Sequence, residues 1–176
     1  MNDASSKILV AVVEQTVFIK IMGRADFTLS LDLKKLVKEL VEKGYVHFIF
    51  ELYDCVTMDS TFLGVLSGIG LQFSGGKSVA NGASLELINP NPRIAETLEN
   101  LGVMDLFTIR SCPDLQGTQF ETVARSTGNS KLDITRNCLE AHKTLMLLRP
   151  ENIQKFKDVA QFLTDDVKRL EAAAKK

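Results

Sequence analysis

The chain has 176 residues, of which 45% are hydrophobic and 24% charged, and its formal net charge is −1. This length suits one domain with an extension, and the composition is that of a soluble globular chain. The small net charge gives no overall attraction for nucleic acid or an anionic membrane surface. No stretch approaches the roughly 20 apolar residues that cross a bilayer, so we expect a cytoplasmic protein that binds neither nucleic acid nor membrane.

The spacing of cysteine and histidine residues predicts no metal site. Cys55, Cys112 and Cys138 lie far apart and form no CxxC pair, so we interpret them as packing residues. His47 and His142 are also widely separated, and we interpret both as structural or surface residues. With no cofactor motif in the sequence, we expect a protein that has no cofactor and is not an enzyme.

The first third of the chain predicts a hairpin, a helix and a buried strand. The apolar run Ile8–Val13 is followed by a turn and by an alternating strand that Gly23 ends. Ser30 is the predicted N-cap of a helix, and Gly44 takes the C′ position that favours glycine. The run Val46–Cys55 predicts one strand buried on both faces.

Two further helix–strand pairs follow. Helices are predicted over Ser60–Phe73 and Pro92–Leu101, the second capped by Asn91, and strands over Ser84–Ile88 and Leu106–Arg110. The order β-β-α-β-α-β-α-β predicts an α/β sandwich with helices packed on a mixed sheet.

Beyond residue 115 the pattern changes. Residues 116–130 are polar and predict a linker, and residues 131–176 predict a C-terminal α-helical hairpin with Pro150 between its halves. Each half carries one apolar seam. The seam residues step by four and three: Ile134, Cys138, Ala141, Leu145 and Leu148, then Phe156, Ala160, Leu163, Val167 and Leu170. The hairpin either packs on its own domain or mediates dimerisation or partner docking.

The helix predicted from Ser60 carries an unusual surface. No charged residue occurs from residue 60 through residue 76. At 100° per residue, one side is apolar and faces the core. The other side is small and uncharged, so another backbone could approach it closely; it consists of Ser60, Gly64, Ser67, Gly68 and Leu71.

Asp59 and Ser60 stand at the predicted N-terminus of this helix. Either residue is a good cap, worth about 1 kcal/mol. A phosphate on Ser60 would instead bring about −1.5 to −2 charges to a neutral face, where the helix dipole tolerates anions. A partner matched to the neutral face would then be repelled. Ser60 has no histidine near it in the sequence, which argues against a serine nucleophile.

The segment Asp59-Ser60-Thr61-Phe62-Leu63-Gly64-Val65-Leu66 resembles the signature of STAS domains of anti-sigma factor antagonists. The turn Gly23-Arg24-Ala25-Asp26 and the segment Leu101-Gly102-Val103-Met104-Asp105-Leu106-Phe107 are similar to two further regions of that family. The resemblance covers about residues 7–114 and implies a STAS-type sandwich over residues 1–115. Phe62 departs from the pattern, because it stands where the family usually has glycine.

The resemblance implies that Ser60 accepts a phosphate, with Thr61 as the second choice. Its partners would be an anti-sigma factor serine kinase, bound by the unphosphorylated protein, and a PP2C-type phosphatase. The binding of the kinase-type anti-sigma factor would free a sigma factor. The implied partner-binding residues are Asp26, Asp59, Ser60, Thr61, Gly64, Ser67, Gly68 and Leu71.

Two other functions stay open at this point. The chain could be a non-switching STAS scaffold whose C-terminal hairpin drives assembly, for example as a homodimer. It could also be a small-molecule or nucleotide-binding module with a ligand near Asp26 and Ser60.

Overall fold

A computed structural model describes residues 5–74, 82–112 and 115–176. Residues 75 and 76 of the uncharged stretch and residues 113 and 114 of the predicted STAS region therefore lie outside the described residues. The strands and helices alternate through the first two thirds of the chain, and two helices end it. In order they are β1 (Lys7–Val13), β2 (Thr16–Ala25), α1 (Phe27–Glu42), β3 (His47–Glu51), β4 (Cys55–Met58), α2 (Ser60–Ser74), β5 (Ser84–Ile88), α3 (Pro92–Asn100), β6 (Thr108–Arg110), β7 (Glu121–Thr122), α4 (Lys131–Leu148) and α5 (Glu151–Ala174).

The strands form a mixed sheet in the order β6-β5-β3-β2-β1-β7, and β4 pairs with β2 off this path. Strands β1 and β2 are an antiparallel hairpin, whereas β2, β3, β5 and β6 run parallel to one another. The predicted α/β sandwich with a mixed sheet and a C-terminal helical hairpin is confirmed. The largest side chains at its centre are Phe48, Phe50 and Phe62, each fully buried.

Two predicted boundaries near the start of α1 are wrong. Strand β2 does not end at Gly23 but runs on to Ala25, since β4 pairs with it there across a register shift at Gly23. Helix α1 begins at Phe27 and not after Ser30, because the Asp26 carboxylate accepts hydrogen bonds from two backbone N–H groups of the first turn. Ser30 is a buried residue inside the helix.

The predicted strand Val46–Cys55 is two strands. β3 ends at Glu51, and the chain turns through Tyr53, which is 71% exposed. β3 pairs with residues 16–20 of β2, whereas β4 pairs with residues 23–25 of the same strand. Between the two pairings, the backbone N–H of Gly23 donates to the carbonyl of Asp54. The last predicted strand is also shorter, since residues 104–106 form a 3₁₀ turn and β6 begins at Thr108.

The C-terminal helices pack on the rest of the chain. α4 lies against α2 and α1, and α5 packs against α4. Ahead of them, β7 pairs with the outer edge of β1, and the Ser126 N–H donates to the buried carboxylate of Asp32 on α1. No helix in the described part of the chain combines the length and the apolar character needed to cross a bilayer.

The buried thiol of Cys55 makes a prediction about alkaline pH. Burial raises the pKa of this thiol to about 12 from an ordinary value of 9.0. The unfolded chain therefore loses this proton first, so the free energy of unfolding should fall between about pH 9 and pH 12 by up to about 1.4 kcal/mol per pH unit. Urea unfolding of wild type and Cys55→Ala at about pH 8 and about pH 10.5 measures it. Equal losses of stability in the two proteins would contradict it.

Candidate functional site

The Asp59 carboxylate binds the N-termini of two helices at once. Its Oδ1 accepts from the N–H of Phe62 in α2 at 2.7 Å, and its Oδ2 accepts from the N–H of Phe27 in α1 at 2.7 Å. Burial raises the pKa of Asp59, and these backbone hydrogen bonds oppose that shift. Anions are stabilised at helix N-termini, so the group between the two helices is an acidic residue although it is half-buried.

Asp26 forms the other half of this junction. Its Oδ1 accepts from the N–H groups of Thr28 and Leu29, both at 3.0 Å, and caps α1. Burial raises the pKa of Asp26, but its hydrogen bonds and the charge of Arg125 outweigh that effect and leave the pKa below its ordinary value. Asp26 and Asp59 are close enough to repel each other, which contributes to the raised pKa of Asp59.

Ser60, the predicted phosphate acceptor, follows Asp59 and is partly exposed. Its Oγ lies 3.0 Å from Nε2 of His142 in α4. The other ring nitrogen of His142, Nδ1, lies 2.7 Å from the backbone carbonyl oxygen of Cys138. A carbonyl only accepts, so Nδ1 carries a hydrogen. In the neutral ring Nε2 is then the acceptor, and the Ser60 hydroxyl donates to it.

His142 is the site residue that sequence reasoning missed. It is 94% buried, since its exposed fraction is 6%, and its ring packs edge-on against Phe156 of α5 with 5.1 Å between centroids. Ser60 and His142 are separated by 82 in sequence number, so no local motif shows the contact. The pair is not a catalytic triad, because Nδ1 binds a backbone carbonyl where a triad has a carboxylate.

The structure divides the predicted partner-binding residues into two groups. Asp26, Asp59, Ser60, Gly68 and Leu71 are partly exposed, whereas the other three are buried. The buried ones are Thr61, Gly64 and Ser67. Burial raises the pKa of the Cys138 thiol of α4, and the nearby Thr61 hydroxyl opposes that shift. The small, uncharged side of α2 is thus covered in part by the chain's own helix.

α4 approaches the backbone of α2 closely at Gly64. A methyl group placed on Gly64 would lie 2.7 Å from both the carbonyl carbon and the Cβ of Ala141. Real Cβ atoms essentially never approach so closely, so α4 can occupy this position only because residue 64 is glycine. One turn further along α2, a methyl group on Gly68 would meet nothing nearer than the Thr144 side chain at 4.0 Å.

A cavity of about 550 Å³ remains beside this contact, between α1, α2 and α4. Its apolar walls include Val37 and Val65, and Lys34 and Glu140 form an ion pair at its lining. Asn137 also lines it, and donates a hydrogen bond to the Ser30 hydroxyl. α4 therefore fills the groove between α1 and α2 only in part.

A family comparison adds to this geometry. The model of the STAS domain matches residues 7–116, which is more than half of the chain. The chain belongs to the STAS domain family. A search of curated protein sequences found no matching relative.

Solved structures of similar fold include three anti-sigma factor antagonists. SpoIIAA in its unphosphorylated form has a TM-score of 0.52 and 16% identity, covering 61% of this chain and 89% of that one. An antagonist described as putative, from Thermotoga maritima, has a TM-score of 0.51 and 22% identity, with coverage of 58% and 84%. One from Mycobacterium paratuberculosis has a TM-score of 0.51 and 15% identity, with coverage of 65% and 91%. At these identities the likeness is one of fold, and it leaves more than a third of this STAS protein unmatched.

The close contact at Gly64 predicts opposite effects of two similar substitutions. Gly64→Ala should lower the free energy of unfolding by up to about 2 kcal/mol, because a clash of about 1–3 kcal/mol is offset by only about 1 kcal/mol of better helix propensity. Gly68→Ala has room for the methyl group and should raise it by up to about 1 kcal/mol. Urea unfolding of both variants measures the difference. Equal stability of the two would show that α4 does not pack closely on α2.

Proposed function

We propose that this STAS protein is an anti-sigma factor antagonist-like binding module that is controlled by phosphorylation of Ser60. The observation that carries the proposal is the position of the Ser60 hydroxyl. It is partly exposed, at the start of α2, next to a carboxylate that joins the N-termini of α1 and α2. Thr61, the alternative acceptor, is 95% buried, since its exposed fraction is 5%.

The chemistry at Ser60 is an ordinary phosphoryl transfer. The hydroxyl loses its proton to a base of the kinase, a new bond forms between Oγ and the γ-phosphorus of ATP, and the bond from that phosphorus to the bridging oxygen breaks to release ADP. The product adds about −1.5 to −2 charges beside Asp59 and Asp26. The phosphate would join these two carboxylates at the start of α2 and make the small, uncharged side of that helix negative there, so a partner matched to it would be repelled.

The proposed partners are therefore a serine kinase of the anti-sigma factor type and a PP2C-type phosphatase, both in the cytoplasm. Unphosphorylated protein binds the kinase through the exposed members of the predicted face, and phosphorylation releases it. Phe27, 42% exposed and adjacent to the Asp59 junction, adds an apolar contact to this surface. In this function the STAS protein regulates by binding and catalyses nothing itself.

Phosphopeptide mapping of the protein purified from its own cells tests the acceptor. We expect phosphate on Ser60 under some growth condition, in wild type and in the control Thr61→Val, and none in Ser60→Ala. In a pull-down, Ser60→Asp should lose a partner kinase that Ser60→Ala retains, because the added carboxylate imitates part of the phosphate charge. Absence of phosphate from Ser60 under every condition, with the same partners for both variants, would refute the switch.

A non-switching STAS scaffold is the second candidate, and the cover that α4 forms on α2 favours it. In that case the outward side of the hairpin would drive assembly. Phe162 of α5, 68% exposed, would lie in a homodimer interface. Sedimentation equilibrium of the full chain and of Phe162→Ser tests this: a dimer that the substitution dissociates, with Ser60 never modified, would establish the scaffold.

A further inference from the structure

The face of α2 that carries Ser60 is an interface within the molecule. Two contacts with α4 lie along it, the hydrogen bond between Ser60 and His142 and the close packing of Gly64 on Ala141. Between them Thr61 lies near enough to the Cys138 thiol to affect its pKa. The proposed phosphate acceptor and the proposed partner-binding face are therefore engaged by the same helix.

This interface is closely fitted at Gly64 but incomplete elsewhere. The cavity of about 550 Å³ runs beside it. Within the described residues, two buried polar atoms in this region of α2 and α4 have no hydrogen-bond partner, the Ser67 Oγ and the Asn137 Oδ1. A buried polar atom without a partner costs free energy that it regains in water. The Asn137 Oδ1 lies on α4 and lines the cavity, so it would gain hydrogen bonds to water if α4 left α2, which lowers the cost of release.

We infer that the α4–α5 hairpin acts as an internal competitor for the Ser60 face, so that α4 must leave α2 before a kinase or another partner can bind there. This inference rests on the proposed function and states how the same site is regulated. The partner would take the place of α4, and it would need a small side chain opposite Gly64, as Ala141 is in the docked hairpin.

The geometry at Ser60 explains why the docked hairpin competes with a kinase. In phosphoryl transfer the kinase places its own base against the acceptor hydroxyl, and this base takes the hydrogen as the bond from Oγ to phosphorus forms. In the docked state His142 Nε2 holds that position, 3.0 Å from the Ser60 Oγ, and takes the hydroxyl hydrogen. The base of a kinase and the imidazole of α4 cannot both lie there, so the docked hairpin opposes phosphorylation.

A substitution on α4 that leaves α2 untouched tests this order of events. Ala141 is 2% exposed, so Ala141→Asp buries a carboxylate too short to reach water, which should drive α4 off α2. The matched control is Lys143→Asp, which places the same side chain at an exposed position of α4. Alkylation of Cys138 by iodoacetamide reports release of the hairpin. The fully buried Cys55 reports unfolding of the whole domain.

We expect Cys138 of Ala141→Asp to be alkylated at least about tenfold faster than in wild type or Lys143→Asp, while Cys55 stays slow, because the helix opens locally. In protein from its own cells, the phosphorylated fraction of Ser60 should rise in Ala141→Asp only.

Equal, non-zero phosphorylation of wild type and Ala141→Asp, with Cys138 exposed, would overturn the inference of an internal competitor and leave the proposed function standing. Absence of phosphate from every chain would overturn both. Slow alkylation of Cys138 in Ala141→Asp would show that the hairpin does not separate from α2. That result would overturn the inference of an internal competitor and leave the proposed function standing.

A variant that locks the hairpin decides the question even if Ala141→Asp unfolds. Thr61→Cys places a thiol beside Cys138 of α4. Oxidised glutathione converts the two thiols to a disulfide and is itself reduced to two glutathione thiols. With ATP, Mg²⁺ and a desalted extract of its own cells, the disulfide form should gain no phosphate on Ser60. The same chain after reduction by dithiothreitol should gain it. Equal phosphorylation of both forms would overturn the proposal.

Discussion

A single carboxylate, that of Asp59, binds backbone N–H groups at the start of two helices. The rest of the site depends on this arrangement. β2 must extend to Ala25 and β4 to Met58 for the two aspartates to meet, and the Asp59 N–H donates to the Ala25 carbonyl at 2.9 Å where those strands end. The sheet extension, both helix starts and the position of Ser60 are thus consequences of one junction. The charge of Asp59 is half-buried at a place where helix dipoles favour it.

Local signals allowed much of the fold to be predicted. The strand Ser84–Ile88 and the cap at Asn91 are confirmed, because apolar runs and capping residues act over a few neighbouring positions. Ser30 was wrongly predicted as a cap since Asp26, four residues earlier, accepts two N–H groups at once. The split of Val46–Cys55 could not be predicted, because it depends on pairing between Gly23 and Asp54, far apart in the chain.

The candidate site also depends on contacts between distant parts of the chain, which local sequence signals do not predict. The sequence indicated that the small side of α2 would let another backbone come close, and Gly64 is where a backbone does. It did not indicate that the neighbour is α4 of the same chain. Helical periodicity gives the buried side of a helix but not what covers it. His142 was interpreted as structural or surface because it lies far from His47 in the sequence, and its position between Ser60 and Phe156 depends on how α4 packs.

The short connection ahead of α4 sets how strongly the hairpin is held. β7 is paired to β1, and the Ser126 N–H is bound to Asp32, so only residues 127–130 separate this anchor from the start of α4. A segment of four residues spans at most about 14 Å. So short a tether keeps a released helix near its groove at an effective concentration of millimolar order. Rebinding of α4 is therefore independent of dilution, whereas occupancy by any outside protein depends on how much of that protein the cell contains.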